Sequence, residues 1–350
     1  MLYLGTSFAD ATLYGNIDQT YNSTKTTVGG TVTNQQTSIG SYQMGDSFLG
    51  VKGEEDLGGG MKASYLYEFG LKTESNATPT NRQSFVGLSG GFGALRIGKQ
   101  YSNAFMNTVS ADPGGATGGR GALYLYSLVG YDATSDNPLR QDRGFQYDLP
   151  TFVPGLKLGF TKTFGNSNSA ATNSISGTET NGVKVGDGQG FSASYSSGGL
   201  YAGFTSDTAK GEDILYTKLG GTGGTQIGYN AADTETNKLT TFALSYDLGM
   251  AKPSYMTTKM SAGTATLKTD MFALNIPLGA ASIFISSSSG KLDASGTSDD
   301  LKMKGMQYGV NYALSKRTVA YWHAGNDTIT TNAGVATKTT GFGLGVHHSF

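Results

Sequence analysis

The 350-residue sequence contains no cysteine. That absence removes disulfide staples, thiolate metal sites and cysteine nucleophiles together. It does not fix the redox compartment, because an oxidising periplasm permits disulfides without requiring them. Proline (7) and tryptophan (1) are scarce, and charged residues make up only 15% of the chain. With 25 Lys and Arg against 26 Asp and Glu, the net charge is -1, so the basic stripe that a nucleic-acid partner needs is missing. No apolar run reaches the roughly 18 to 20 residues of a transmembrane helix, and the mean hydropathy is -0.26. Hydropathy says nothing against a membrane barrel, whose lipid face uses only alternate residues.

What is abundant is glycine (53), tyrosine (20) and phenylalanine (17), a composition of strands and tight turns rather than long helices. The length does not force two domains, since all-β barrels commonly run this long as one unit. The stub Met1 to Ala9 ends in Ser7-Phe8-Ala9, the small-x-small pattern of a signal-peptidase site. Residues 1–9 therefore read as the remnant of a signal peptide, the alternative being an ordinary chain terminus. Residues 10–350 read as a single barrel domain.

The dominant signal is a period of two. Phe242, Leu244, Tyr246 and Leu248 alternate with Thr241, Ala243, Ser245 and Asp247; Met306, Tyr308, Val310, Tyr312 and Leu314 alternate with Gln307, Gly309, Asn311 and Ala313. Phe342, Leu344, Val346 and Phe350 repeat the pattern at the C-terminus, and Met61, Ala63, Tyr65, Tyr67 and Phe69 near the start. A soluble sandwich also alternates. These runs, however, approach the roughly 9 to 11 residues of a tilted membrane strand rather than the 5 to 6 of ordinary sheets, and Tyr and Phe recur toward their ends.

Connections alternate too. Short turns stand at Asp56 to Gly60, Gly90 to Gly93, Ser197 to Gly199 and Leu314 to Arg317; long polar segments fall near 21–42, 72–80, 101–139, 166–188, 209–235, 290–302 and 327–337. This asymmetry is that of an outer-membrane barrel, with short periplasmic turns and long extracellular loops. Sixteen strands are expected. Segment 209–235 leaves a choice between a hairpin inside a loop and two further wall strands, which would make eighteen. Pro253 and Pro277 fall at strand ends, where a missing N–H is tolerated.

Short motifs in a fixed order then point to a family. Gly53-Glu54-Glu55-Asp56-Leu57-Gly58-Gly59-Gly60-Met61-Lys62-Ala63 followed by Glu68 resembles a turn and strand of the general porins of Gram-negative bacteria, especially the proteobacterial trimeric type. Leu13 to Asp18, Asn81 to Leu88, Gly98 to Tyr101, Arg140 to Tyr147 with Pro150, Ala313 to Thr318 and the terminal Phe350 resemble further porin strands and turns. The resemblance implies a transmembrane antiparallel β-barrel of sixteen strands, a homotrimer, and a third loop folded into the pore. It also implies outer-membrane lipid and lipopolysaccharide around the barrel, ions and small hydrophilic solutes through it, and neither cofactor nor catalysis.

In such a pore, wall charges bias which ions enter while the diameter sets the size limit. The resemblance carries a basic ladder onto Arg82 and Arg140, with Lys52 added because Leu49 and Val51 take the other face. Arg96 alternates with Leu95 and Ile97, and Arg143 lies in the run 140–149; both join the lumen set, as does Glu68. A charge facing lipid at the midplane costs roughly 2 to 4 kcal/mol, which directs strand-interior Arg and Lys inward. Each of these residues has the alternative of a rim position in a salt bridge. Phe48 stands where relatives carry a second-strand arginine, and Asn16 at a position basic in some, so the expected anion preference is at most modest. Segment 101–139 is the expected inward loop, with Asp112-Pro113-Gly114-Gly115 facing the ladder, or else a plain surface loop.

Other motifs carry less. Gly93-Ala94-Leu95-Arg96-Ile97-Gly98-Lys99 imitates a phosphate-binding loop, but Gln100 replaces the required Ser or Thr and the stretch reads as strand. His323, His347 and His348 are too few for a metal site with evident partners, and Asp293, Asp299 and Asp300 read as solvated loop carboxylates. Two alternatives to a general channel remain at this point. One is a solute-specific porin, hinted at by Tyr124 and Tyr126; the other is a non-conducting adhesin or structural barrel whose Ser/Thr/Gly-rich loops bind a partner.

Overall fold

The computed structural model describes residues 11–40, 44–74, 78–114, 139–141, 143–164, 179–180, 183–184, 187–210, 216–218, 226–228, 236–262, 265–293 and 300–350. Among these residues twenty-two strands follow one another: β1 (Thr12–Val28), β2 (Thr31–Gly40), β3 (Phe48–Gly58), β4 (Met61–Gly70), β5 (Thr80–Gly90), β6 (Gly93–Tyr101), β7 (Arg140–Gln141), β8 (Gly144–Asp148), β9 (Leu156–Thr163), β10 (Glu179–Thr180) and β11 (Val183–Lys184). Then come β12 (Gly188–Ser197), β13 (Leu200–Lys210), β14 (Tyr216–Lys218), β15 (Gln226–Gly228), β16 (Thr236–Tyr246), β17 (Lys252–Ala262), β18 (Ala265–Leu278), β19 (Ala281–Asp293), β20 (Leu301–Ala313), β21 (Thr318–Thr331) and β22 (Ala336–Ser349). A helix, α1 (Asn103–Val109), follows β6.

Sixteen strands pair antiparallel in a closed ring, in the order β1, β3, β4, β5, β6, β8, β9, β12, β13 and β16 through β22. The ring shuts where β22 lies along β1 from Asn16 opposite Ser349 to Val28 opposite Thr337, and Gly15 and Phe350 exchange both backbone hydrogen bonds at 3.2 and 3.1 Å. β2 and the two-residue β7 are additions to the same sheet. β14 and β15 pair only with each other, so within 209–235 these strands form a hairpin apart from the wall and do not raise the wall count to eighteen.

The two ends of the barrel differ as expected. At one end the strands are joined by tight turns such as Gly198-Gly199, where φ of +55 and +87 at consecutive positions suits glycine. At the other end the wall climbs higher than polarity alone suggested. Residues 21–40 are not a loop: β1 runs on to Val28, turns at Gly29-Gly30 and returns antiparallel as β2, with a register shift between Thr26 and Thr27. Likewise β19 continues to Asp293, β20 starts at Leu301 and β21 reaches Thr331. Ser- and Thr-rich stretches hydrogen-bond in a ladder as readily as apolar ones; their polarity reports the solvent beside the strand, not the absence of one.

Alternation separates two faces. On β20 Leu301, Met303, Gly305, Gln307 and Gly309 are buried, whereas Lys302, Lys304, Met306, Tyr308 and Val310 are exposed. The buried set faces the barrel interior, because the chain after β6 packs against that set: Asn107 donates to Thr241 at 2.7 Å and Ser254 donates to the Ala111 carbonyl at 2.6 Å. Beside the closing seam, the fully buried Asp18 accepts from Tyr321 Oη at 2.6 Å, and the backbone N–H of Asp18 donates to Ser47 at 2.9 Å. Thr20 shares the same tyrosine hydroxyl.

A buried carboxylate deprived of a donor costs about 1 to 3 kcal/mol. Tyr321→Phe should therefore lower the unfolding free energy of the vesicle-folded barrel by about that amount, read from the urea midpoint; an unchanged midpoint would show that the seam does not depend on this contact.

Candidate functional site

The inner wall of β3 to β7 carries Lys52, Arg82 and Arg140, each laid on an aromatic ring. The Lys52 ammonium lies 4.7 Å from the centre of the Tyr14 ring. That ring lies flat on the wall because Gly50 has no side chain: a Cβ there would stand 2.7 Å from it. The Arg82 guanidinium covers Phe48 at 5.0 Å and Arg140 covers Tyr101 at 4.9 Å. Tyr101 stacks on Phe105 of α1, 4.8 Å between centres and 27° between planes. Such cation–ring contacts hold the charges in fixed positions while leaving their polar edges free for other partners.

Arg82 is the hinge of this arrangement. By strict alternation it would share a face with Val86 and Leu88, which are exposed on the outer surface. The register between β4 and β5 shifts instead: Glu68 faces Gln83, Phe69 faces Asn81, and Arg82 is the extra residue. A bulge of this kind re-aims a side chain, and Arg82 turns inward, only 8% exposed. There it donates to Asp46 at 2.7 Å and to Tyr101 Oη at 2.5 Å, with Glu68 at 3.7 Å. Glu68 is itself buried and accepts from Tyr14 Oη at 2.7 Å and Gln83 at 2.9 Å.

The remaining sequence candidates divide. Arg96 points inward from β6 but pairs with Asp148 at 2.6 Å, both partly exposed toward the short-turn end. Arg143 does not sit inside a strand: the run expected over 140–149 breaks between β7 and β8, and Arg143 adopts φ +48. Its carbonyl accepts from Phe164 N–H at 3.0 Å, and the position marks a one-residue irregularity in the pairing of β7 and β8 with β6.

The chain beyond β6 crosses the interior. Ser102 caps α1 by accepting from Phe105 N–H at 3.0 Å. Asn107 accepts from Tyr201 on β13 at 2.9 Å. Ala111 packs with Ala243, Met256, Met271 and Ala273 of β16 to β18. Gly114 then reaches β20, where a Cβ would stand 2.6 Å from the Gln307 side chain. Asp112, which is buried, accepts from Gly114 N–H at 2.9 Å and so shapes its own turn. It stands near β17 and β20, away from the β5 to β7 ladder. Tyr124 and Tyr126 lie outside the described residues.

Sequence reasoning missed Asp46, Tyr14 and Tyr101, and assigned Phe48 only as a lost charge. Period two cannot signal them, because their placement depends on a bulge and on rings lying across strands.

The model of the Gram-negative porin family matches residues 4–333. Major outer membrane protein P.IB of Neisseria meningitidis is 40% identical over 113 residues, 31% of this chain and 32% of the relative. Outer membrane porin protein 32 of Delftia acidovorans is 31% identical over 137 residues, 38% of this chain and 39% of the relative. These alignments thus span about a third of the relatives' length. Among solved structures, an anion-selective porin from Comamonas acidovorans superposes with a TM-score of 0.73 at 24% identity, covering 98% of this chain and all of its own. OmpT of Vibrio cholerae gives 0.67 at 16%, covering 99% of both chains. Closed ring, inward-folded segment and a family match over nearly the whole chain agree: the protein belongs to the Gram-negative porin family, as a multi-pass β-barrel of the outer membrane.

Proposed function

We propose that the barrel is a water-filled channel for passive diffusion of ions and small hydrophilic solutes, with at most a modest preference for anions and no catalytic role. The observation that carries this reading is the inner wall itself. Lys52, Arg82 and Arg140 are shelved on rings, while Asp46 and Glu68 stand beside Arg82. Three cations on this wall face two carboxylates beside them and, across the passage, Asp112 as a third, so little net charge is left, which supports at most a weak anion bias. Arg96 adds little, its charge being matched by Asp148. Asp112, held against the opposite wall by the inward segment, supplies the acidic side of the constriction, so that solutes pass through a transverse field. Phe48, in place of a basic residue, trades a charge for a platform under Arg82. Three copies assemble in the membrane, a reading supported by the likeness of the strand motifs to trimeric porins, and lipopolysaccharide contacts their outer surface.

In a planar bilayer with a salt gradient, the wild-type channel should open in triplet steps with a reversal potential of modest anion sign; strong cation selectivity contradicts the reading. One charge about 10 Å from the ion path is worth about 0.4 kcal/mol in water, roughly a factor of two. That factor acts with opposite sign on the two ions, so at low salt Arg82→Gln should lower the chloride-to-potassium permeability ratio by up to about fourfold. Asp112→Asn keeps an oxygen to accept from Gly114 but removes the charge, and should raise the same ratio. An unchanged ratio would show that the Asp112 carboxylate is structural only.

A further inference from the structure

Toward the long-connection end, the outer face of β17 to β20 reverses the polarity of a lipid-facing wall. Met260, Leu267, Leu292, Leu301 and Met303 point inward and are buried. Lys259, Lys268, Lys291 and Lys302 point outward and are exposed. The register sets them side by side: Lys259 opposite Lys268, Lys268 opposite Lys291, and Lys291 opposite Lys302. One lysine on each of four adjacent strands therefore forms a single row, with Lys304 two residues further along β20. Directly opposed like charges destabilise a sheet, because paired Cβ atoms lie only about 4.5 to 5.5 Å apart.

The wall does little to neutralise this row. Asp270, Asp293 and Asp300 share the face. Asp270 accepts from Tyr255 Oη at 2.7 Å, and Asp293 lies 3.5 Å from Lys291 with both side chains more than half exposed. Lys259, Lys268, Lys302 and Lys304 form no ion pair with the described residues.

The height of the row identifies what meets it. Along β20 the outward residues after Lys302 and Lys304 are Met306, Tyr308, Val310 and Tyr312, all exposed; β19 presents Ile285 and Ile283, and β18 presents Phe272. Lys302 and Met306 are four residues apart, about 13 Å along a strand. The lysines thus stand just above the apolar band, at the level of outer-leaflet headgroups. A solute inside the pore cannot reach them, and a second copy of the chain would bring the same positive charge.

We propose that the row Lys259, Lys268, Lys291 and Lys302 is a binding site for the phosphate groups of an anionic outer-leaflet lipid of the lipopolysaccharide type. Lysine suits this role as a flexible point charge on a long stem, and juxtamembrane lysines gain from anionic headgroups when only water and salt otherwise screen them. The inference rests on the outer-membrane placement of the barrel and specifies where the lipid contacts proposed above are made.

The test is native mass spectrometry of the detergent-purified full chain mixed with bisphosphorylated lipid A or with its dephosphorylated form. The wild type should retain the phosphorylated lipid, and K259Q/K268Q/K291Q/K302Q at least about tenfold less. Salt at about 0.5 M should weaken retention by the wild type, and arginine at the same four positions should preserve it. Conductance of the glutamine variant should match the wild type, which separates loss of the lipid site from loss of the channel. Equal retention by both proteins, or equal retention of the dephosphorylated lipid, overturns the proposal. So does a glutamine variant that changes oligomeric mass while keeping its lipid, an outcome that would give the row to a second copy.

Discussion

A strand that crosses hydrocarbon has no water to satisfy its backbone, so every N–H and C=O must be paired within the sheet. The meeting of β1 with β22 meets that demand by leaving no edge. Closure has further consequences. A ring of sixteen strands encloses more space than inward side chains fill, and alternation then gives every strand one face toward lipid and one toward the enclosed space. The buried Asp18, anchored by Tyr321 and Ser47 across strands distant in sequence, ties the seam from inside.

The functional wall follows from departures from that regular pattern. A single extra residue between β4 and β5 turns Arg82 from the lipid side to the inside, and a missing side chain at Gly50 lets Tyr14 lie flat beneath Lys52. The inward segment depends on the same economy of small groups: Asn107, Ala111 and Gly114 lie against Gly203, Ala243 and Gln307, where larger residues would hold the chain off the wall. Charges shelved on rings and flanked by carboxylates are held in place along the inner wall.

Much of this was legible in the sequence. Period two located the wall strands, glycine clusters located the tight turns, and ordered motifs pointed to the porin family. What escaped has physical reasons. The upper parts of β1, β2, β19, β20 and β21 are strands beside water, so their Ser, Thr and Asn residues read as loop. Arg143 sits with positive φ at the break between β7 and β8, which alternation cannot register. Arg82 was placed inside by resemblance, whereas its own parity argues for the outside; only the register of β4 against β5 explains the difference. The methionine and leucine residues facing inward behind the lysine row are equally invisible, because alternation reports two faces without saying which is which.

The central claim is that the face carrying Arg82 and Lys52 is bathed in the aqueous passage while the neighbouring face meets lipid. The cysteine-free background allows this to be measured directly, by following conductance while a charged, membrane-impermeant thiol reagent is added to Arg82→Cys, Lys52→Cys and Val86→Cys channels. Positions 82 and 86 have the same parity along β5, yet 82 should react together with 52 and change the current, while 86 should stay silent. Reaction at 86, or silence at both 82 and 52, would contradict the account.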